Sequence, residues 1–349
     1  MTAAPQQGFF LGTELPLIQA PMAGVQGSAL AIAVSRAGGL GSLPCAMLGP
    51  EAIVAEIAAI RGATKAPFNV NFFCHTPQDS TSEQTTRWVQ ALAPYYAEFD
   101  LPPAPPAGGA SRRPFDTVTA DLLEPLAPPV VSFHFGLPKP DLLARVKGWG
   151  SRILASATTL AEAKWLAERG VDGIIAQGVE AGGHRGCFLS EDITTQVGTF
   201  ALVPQMVAAV DVPVIAAGGI ADAAGVRAAL ALGAAGVQVG TAYMLCPEAA
   251  TTPAHRHAIR HSAPEDTALT NLYSGRPARG IVTRLMRDLG PMAEVAPPFP
   301  HASTSLAPLR AAAEARGSID FTPLWRGQNR GNFDGVPAEE VTRALMGRQ

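Results

Sequence analysis

The sequence is short of lysine, of paired cysteines, of long apolar runs and of any surplus of charge, and each shortage removes a class of function. Its 26 basic and 29 acidic residues leave a formal net charge of −3, so neither a nucleic acid nor an anionic membrane is expected as a partner. The four cysteines, Cys45, Cys74, Cys187 and Cys246, are scattered without a CxxC pair. They read as reduced thiols of a cytoplasmic protein, and no metal site is expected. No stretch approaches the ~18 consecutive apolar residues of a membrane helix. The opening residues, MTAAPQQGFFLG, carry neither a basic region nor a long apolar segment, so no secretion signal is expected. Scarce lysine beside abundant alanine, glycine and proline reads as compositional bias without functional meaning.

What is present is a regular alternation. The chain has 349 residues, 47% of them hydrophobic, enough for a large core. Short apolar runs at 15–20, 40–44, 68–73, 129–135, 152–155, 174–176, 212–217 and 235–241 read as strands. Helical segments are expected between them at 28–37, 50–61, 140–147, 160–169, 197–209 and 222–232. Thr159 and Glu162 form a capping box, Gly170 a stop, and Asp222 a further cap. Eight strands joined by helical crossovers imply a parallel sheet, and their spacing over about 240 residues fits a TIM (β/α)8 barrel better than an open sheet. Residues 76–128 hold one helix, at 83–99, and the Pro/Gly-rich LPPAPPAGGASRRP. They read as an insertion after strand three, too poor in apolar residues to be a domain. The barrel core is thus expected within 1–245. Residues 246–349 should supply a helical cover and the last barrel helix, with helices at 252–261, 285–289, 305–316 and 337–346 and no strong strand.

Barrels of this kind place chemistry at the C-terminal ends of their strands. There the sequence puts Pro21-Met22-Ala23-Gly24, Asn71, His75, His134, Gln177, Gly218-Gly219 and Gly240-Thr241. The glycine turns after the last two strands suit an anion, with backbone N–H groups turned toward a phosphate. The stretch DGIIAQGVEAGGHRG, 172–186, turns from a buried strand into a glycine-rich loop bearing His184. A histidine behind Gly182-Gly183 suits proton transfer, with an ordinary pKa of about 6.5. Asn71 and Gln177 could instead serve nearby backbone groups, His134 could be structural, and Arg185 could attract an anion or form a surface ion pair. Glu180 is expected to order the loop through backbone N–H groups. His255, His257 and His261 do not share a helix face, which argues against a metal. Ser274-Gly275-Arg276 reads as an ordinary turn or part of a lid.

PLIQAPMAG, QGVEAGGHRG, PVIAAGGI and VQVGTAYMLCPEA together resemble the nitronate monooxygenase (2-nitropropane dioxygenase) family of FMN-dependent barrels, over about residues 14–290. The EAGGHRG loop is also similar to that of flavin-dependent enoyl-[acyl-carrier-protein] reductases. FNVNFF, SFHFG and SGRPARGI look more like the nitronate-oxidising branch. The resemblance implies an FMN across the barrel mouth, its phosphate among Gly218, Gly219, Gly240 and Thr241, flanked by Gln238 and Val239. Its ring would contact the backbone at Pro21, Met22, Ala23 and Gly24. Asn71 and Gln177 would offer hydrogen bonds, and Gly182 a close backbone approach. It further implies His184 as the catalytic base or nitronate-binding group, with His134 beside the substrate. A nitronate and dioxygen are the expected small-molecule partners; oligomeric state is left open. Two other readings remain: a flavin-dependent enoyl or NADH:quinone reductase on the same barrel, and a barrel that binds a phosphorylated ligand without redox chemistry.

Overall fold

The computed structural model describes residues 9–102 and 112–348. The first eight residues and most of the Pro/Gly-rich stretch lie outside them, so the expectations placed on those segments do too. In chain order the elements are β1 (Leu17–Gln19), α1 (Ser28–Arg36), β2 (Gly41–Pro44), α2 (Pro50–Ala63), β3 (Phe68–Phe73), α3 (Ser82–Glu98), α4 (Thr117–Leu123), β4 (Val130–His134), α5 (Pro140–Gly148), β5 (Arg152–Ala157), α6 (Leu160–Glu168) and β6 (Gly173–Gln177). There follow β7 (Gly183–His184), α7 (Thr199–Ala209), β8 (Val214–Ala217), α8 (Ala223–Ala231), β9 (Gly236–Val239), α9 (Pro253–His261), β10 (Thr267–Thr270), β11 (Ala278–Ile281), α10 (Arg284–Leu289), α11 (Ala302–Ala315) and α12 (Ala338–Leu345).

Eight of the strands pair in parallel in the order β1-β9-β8-β6-β5-β4-β3-β2. The seam between β1 and β2 is closed by a parallel bridge from Ile18 to Leu40, with Leu40 N donating to Leu17 O at 2.8 Å and Gln19 N to Leu40 O at 2.9 Å. The result is the expected TIM barrel. Strand periodicity explains its layers. Along β3, Phe68, Val70 and Phe72 face outward into the helices, while Asn69 and Asn71 face inward and bond to the Ser132 hydroxyl at 2.9 Å each. Inside, Ile18, Leu40, Val130, Leu154, Ile175 and Ile215 fill one end, and the polar inward residues gather at the other. α12, at the chain's end, packs against α1 and α8 as the eighth barrel helix.

Two expectations about the remaining segments are corrected. The insertion is not poor in apolar contacts: Trp88, Leu92, Tyr95, Tyr96 and Phe99 are buried, and they form a second core with Leu272, Leu285, Leu306, Leu309 and Phe321 of the C-terminal region. Those partners are distant in the chain, so the stripe on α3 has no visible purpose until the two segments meet. The C-terminal region also contains strands. β10 and β11 pair antiparallel, and β11 pairs with β7, Ala278 opposite His184. The glycine-rich loop is therefore anchored as a sheet edge, not a free tip.

Candidate active site

The polar ends of the strands open into a cleft with an enclosed volume of about 190 Å³ that widens into solvent at its mouth. Pro21, Met22, Ala23, Asn71, His134, Gln177, Gly182, His184, Gly218, Gly219, Gln238, Gly240 and Thr241 all line it. Gly24 is an exposed turn residue with φ +83°, and the Val239 side chain turns outward into the strand–helix layer.

His184 is the most constrained of these groups. Its carbonyl accepts from Gln177 Nε2 at 2.9 Å and from His134 Nε2 at 3.2 Å. Its ring lies 2.8 Å from the Ser274 hydroxyl through Nε2. Phe135, Phe299 and Trp325 surround the imidazole, with ring centroids 5.4–6.0 Å away. Burial in this aromatic cage, followed by the charges of Arg112 and Arg276 and the neighbouring His134 and His75, holds its pKa well below the usual 6.5. The ordinary value assumed from the sequence is corrected: the resting imidazole is neutral and disfavours a proton. His75 and His134 are likewise lowered to about 4, chiefly by burial.

Arg276 pairs with Glu191 at 2.9 Å and stacks over Phe135 at 4.4 Å. Arg112 lies over Phe299 at 5.3 Å. On each guanidinium a buried Nη1 has no hydrogen-bond partner among the described residues. Buried donors without acceptors cost free energy, so the site is poised for an anion.

Several sequence readings resolve differently. Both ends of Gln177 are engaged by the loop, Nε2 with His184 O and Oε1 with Gly186 N at 2.7 Å. Asn71 Nδ2 is engaged by Ser132. His134 also uses both ring nitrogens, the second facing Ser156 Oγ at 3.0 Å. Arg185 neither reaches the mouth nor forms a surface pair. It is wholly buried and donates to the carbonyls of Gln177 and Gly178 and to Gln196, because the loop folds its own carbonyls around the guanidinium. Glu180 receives the Thr199 amide at 2.9 Å, as expected. Gly182 does require a bare backbone, but toward the protein: a Cβ there would stand 2.4 Å from Gly327 N. The sequence reading missed Arg112, Phe299, Trp325 and Asn329. They lie in segments without strand or motif signals, and only the chain's return over the mouth brings them in.

The nitronate monooxygenase family model matches residues 7–346. This chain belongs to the nitronate monooxygenase family. It is 43% identical to a nitronate monooxygenase of Pseudomonas aeruginosa, over 96% of each chain. It is 40% identical to one of Paraburkholderia phytofirmans, over 96% of this chain and 92% of that one. Among solved structures, a nitroalkane oxidase from Streptomyces ansochromogenes superposes with a TM-score of 0.85 at 36% identity, covering 96% of this chain and 95% of that chain. Membership of the nitronate monooxygenase family implies a flavin, and the cleft fits one. Gly218 and Gly219 adopt φ +115° and +72°, which a side chain would strain. Gln238 Oε1 is buried without a partner among the described residues, an acceptor free for a donor in the cleft that it lines. Asn329 Nδ2 donates to Gly219 O at 3.1 Å, and Gly327 N to Thr241 Oγ1 at 3.0 Å, so the cover braces the same rim. Among the described residues no cluster of three or more metal-ligating side chains occurs, and no helix is long and apolar enough to cross a membrane.

Proposed function

We propose that this protein oxidises alkyl nitronates with dioxygen, and neutral nitroalkanes after deprotonation, to carbonyl compounds and nitrite. One observation carries the reading: His184, its proton affinity lowered by burial, and Arg112 line one cleft beside the glycine rim, Arg276 stands over Phe135 of the cage around His184, and each guanidinium keeps an Nη1 without a partner among the described residues. A nitronate is a compact monoanion with two acceptor oxygens, which such donors suit.

The cofactor proposed is FMN, its phosphate at Gly218, Gly219, Gly240 and Thr241 and its ring against Pro21, Met22 and Ala23. When bound it supplies the electron acceptor. The chain itself does the rest. Arg112 and Arg276 hold the anion, the cage of Phe135, Phe299 and Trp325 excludes water, and His184 bonds the nitronate or takes the proton from a neutral nitroalkane. His184's low proton affinity is offset in that step because the proton leaves an anion beside it. Gln238 is proposed to meet a donor on the cofactor, and His134 to hold the His184 carbonyl.

Nitrite release is measured from an alkyl nitronate in air, with and without NADH. Release independent of NADH is expected. Rapid bleaching of the protein's visible absorbance by NADH under nitrogen, without nitrite release in air, would identify an enoyl or quinone reductase instead. A colourless protein that frees no FMN on heating would leave only a non-redox phospho-ligand barrel.

A further inference from the structure

We propose that Ser274 is a positioning residue that fixes the tautomer and ring orientation of His184, so that Nδ1 is the nitrogen offered to substrate; this rests on the reading of the site given above. The backbone of His184 is already immobilised by its pairing with Ala278 and by the two donors on its carbonyl. The ring torsion remains, and the Ser274 hydroxyl, 2.8 Å from Nε2, sets it. Ser274 is itself held. It is 1% exposed and sits in the turn between β10 and β11, where Gly275 N donates to Asn271 O at 2.7 Å. A Cβ on Gly275 would come within 2.3 Å of Pro297 O, so the turn is seated tightly against the cover.

Proton counting chooses the tautomer. A serine hydroxyl has one proton to give and lone pairs to accept with. Ser274 Oγ lies 3.4 Å from Arg276 O in donor geometry, and Arg276 N lies 3.4 Å from the same oxygen as a donor to it. If Nε2–H donates to Oγ, the serine proton is free for the Arg276 carbonyl, and Nε2, Oγ and that carbonyl are all engaged. If the serine instead donates to Nε2, that carbonyl loses its donor. The neighbouring histidine obeys the complementary rule: His134 Nε2 faces a carbonyl and must carry its proton, so Nδ1 accepts from Ser156. Each imidazole is thus oriented by one serine. The other groups around the His184 ring are His75, His134, Arg112 and Arg276. Among the described residues none bonds Nδ1, so it is the ring nitrogen left for a ligand in the cleft that His184 lines.

For a neutral nitroalkane, the Cα–H bond breaks and an N–H bond forms at Nδ1. The electron pair moves into the nitro group, giving the nitronate, and His184 becomes an imidazolium that still donates Nε2–H to Ser274. A preformed nitronate bypasses this step. Ser274→Ala therefore separates the two substrates. We compare the flavin-loaded wild-type and variant proteins in nitrite release from neutral nitroethane and from preformed ethylnitronate. In parallel, nitrogen-15 histidine NMR reads the His184 ring nitrogens, assigned by loss of their signals in His184→Asn. The expected loss in kcat on nitroethane is about 10- to 100-fold, with ethylnitronate changed by less than about threefold. His184 in the wild type is expected as the Nε2–H tautomer, and in Ser274→Ala as an exchanging mixture. A wild-type Nδ1–H tautomer overturns the inference. So does a variant that keeps both the wild-type tautomer and its nitroethane activity, or one that loses both substrates equally. If the wild type releases nitrite from neither substrate, the functional reading fails while the NMR comparison still decides the role of Ser274.

Discussion

In the proposed reaction a single imidazole takes the proton, and its surroundings set what it can do. Replacing His184 by Asn removes the proton acceptor but keeps a polar group of similar reach. Turnover of neutral nitroethane is expected to fall on the order of 100-fold, with flavin retained and a smaller loss on preformed nitronate; steady-state nitrite release and the visible spectrum check it. Unchanged nitroethane turnover would remove His184 from the proton transfer. Gly182 tests a different link. Its α-carbon passes so close to the Arg326–Gly327 backbone that a methyl group would stand 2.4 Å from Gly327 N. Gly182→Ala should destabilise the protein by about 1–3 kcal/mol, and because Gly327 also braces Thr241, it should loosen flavin retention. Thermal melting and released-flavin fluorescence report both. His184, Gly182 and the glycine turns were legible in the sequence because a glycine-rich run after a buried strand is a local signal. The two guanidiniums were not: Arg276 read as turn chemistry and Arg112 as part of a polar surface loop. Their burial depends on Phe135 and Phe299, which approach from separate segments.

At the scale of elements, the barrel strands followed from their own apolar runs, and β3 from its alternation of faces. β10 and β11 did not. A short strand such as ARGI has too few apolar residues to announce itself, and its partners, Thr267–Thr270 and Gly183–His184, supply the pairing from elsewhere. The same holds for α3. Its buried face, with Trp88 fully enclosed and its Nε1 donating to Ala302 O at 3.2 Å, packs on α11 of the cover. Trp88→Ala should cost about 3–5 kcal/mol. The second core also seats Tyr273 beside Ser274, so activity should fall before the barrel unfolds. Urea titration followed by both nitrite release and far-ultraviolet circular dichroism separates the events. Coincident midpoints would show that the two cores melt as one unit.

For the molecule as a whole, burial of neutral histidines makes stability depend on pH. His75, His134 and His255 are each lowered to about 4, and His184 well below 6.5, with burial the first cause in every case. The unfolded chain binds protons at these sites as pH falls through about 6.5, while the folded chain does not until about 4. Stability is therefore complete above about pH 6.5 and should decline on acidification, by up to about 1.4 kcal/mol per pH unit for each such group. Melting temperatures measured between pH 7.5 and 4.5 (roughly three units spanning the titration) should hold to about pH 6.5 and fall below it, and His255→Phe, outside the cleft lining, should flatten the slope. A melting temperature independent of pH over that range would contradict the burial of these rings. By itself the sequence determined the barrel, the glycine rim and the loop histidine, because the strand and helix periods and the glycine-rich turns that announce them are patterns of residues near one another in the chain. The tertiary structure alone decided that the insertion and the C-terminal cover share a core. It also decided that the insertion brings Arg112, and the C-terminal cover Ser274, Arg276, Phe299 and Trp325, to the surroundings of His184, and that burial lowers the imidazole's proton affinity, since burial and through-space charge belong to no local stretch of chain.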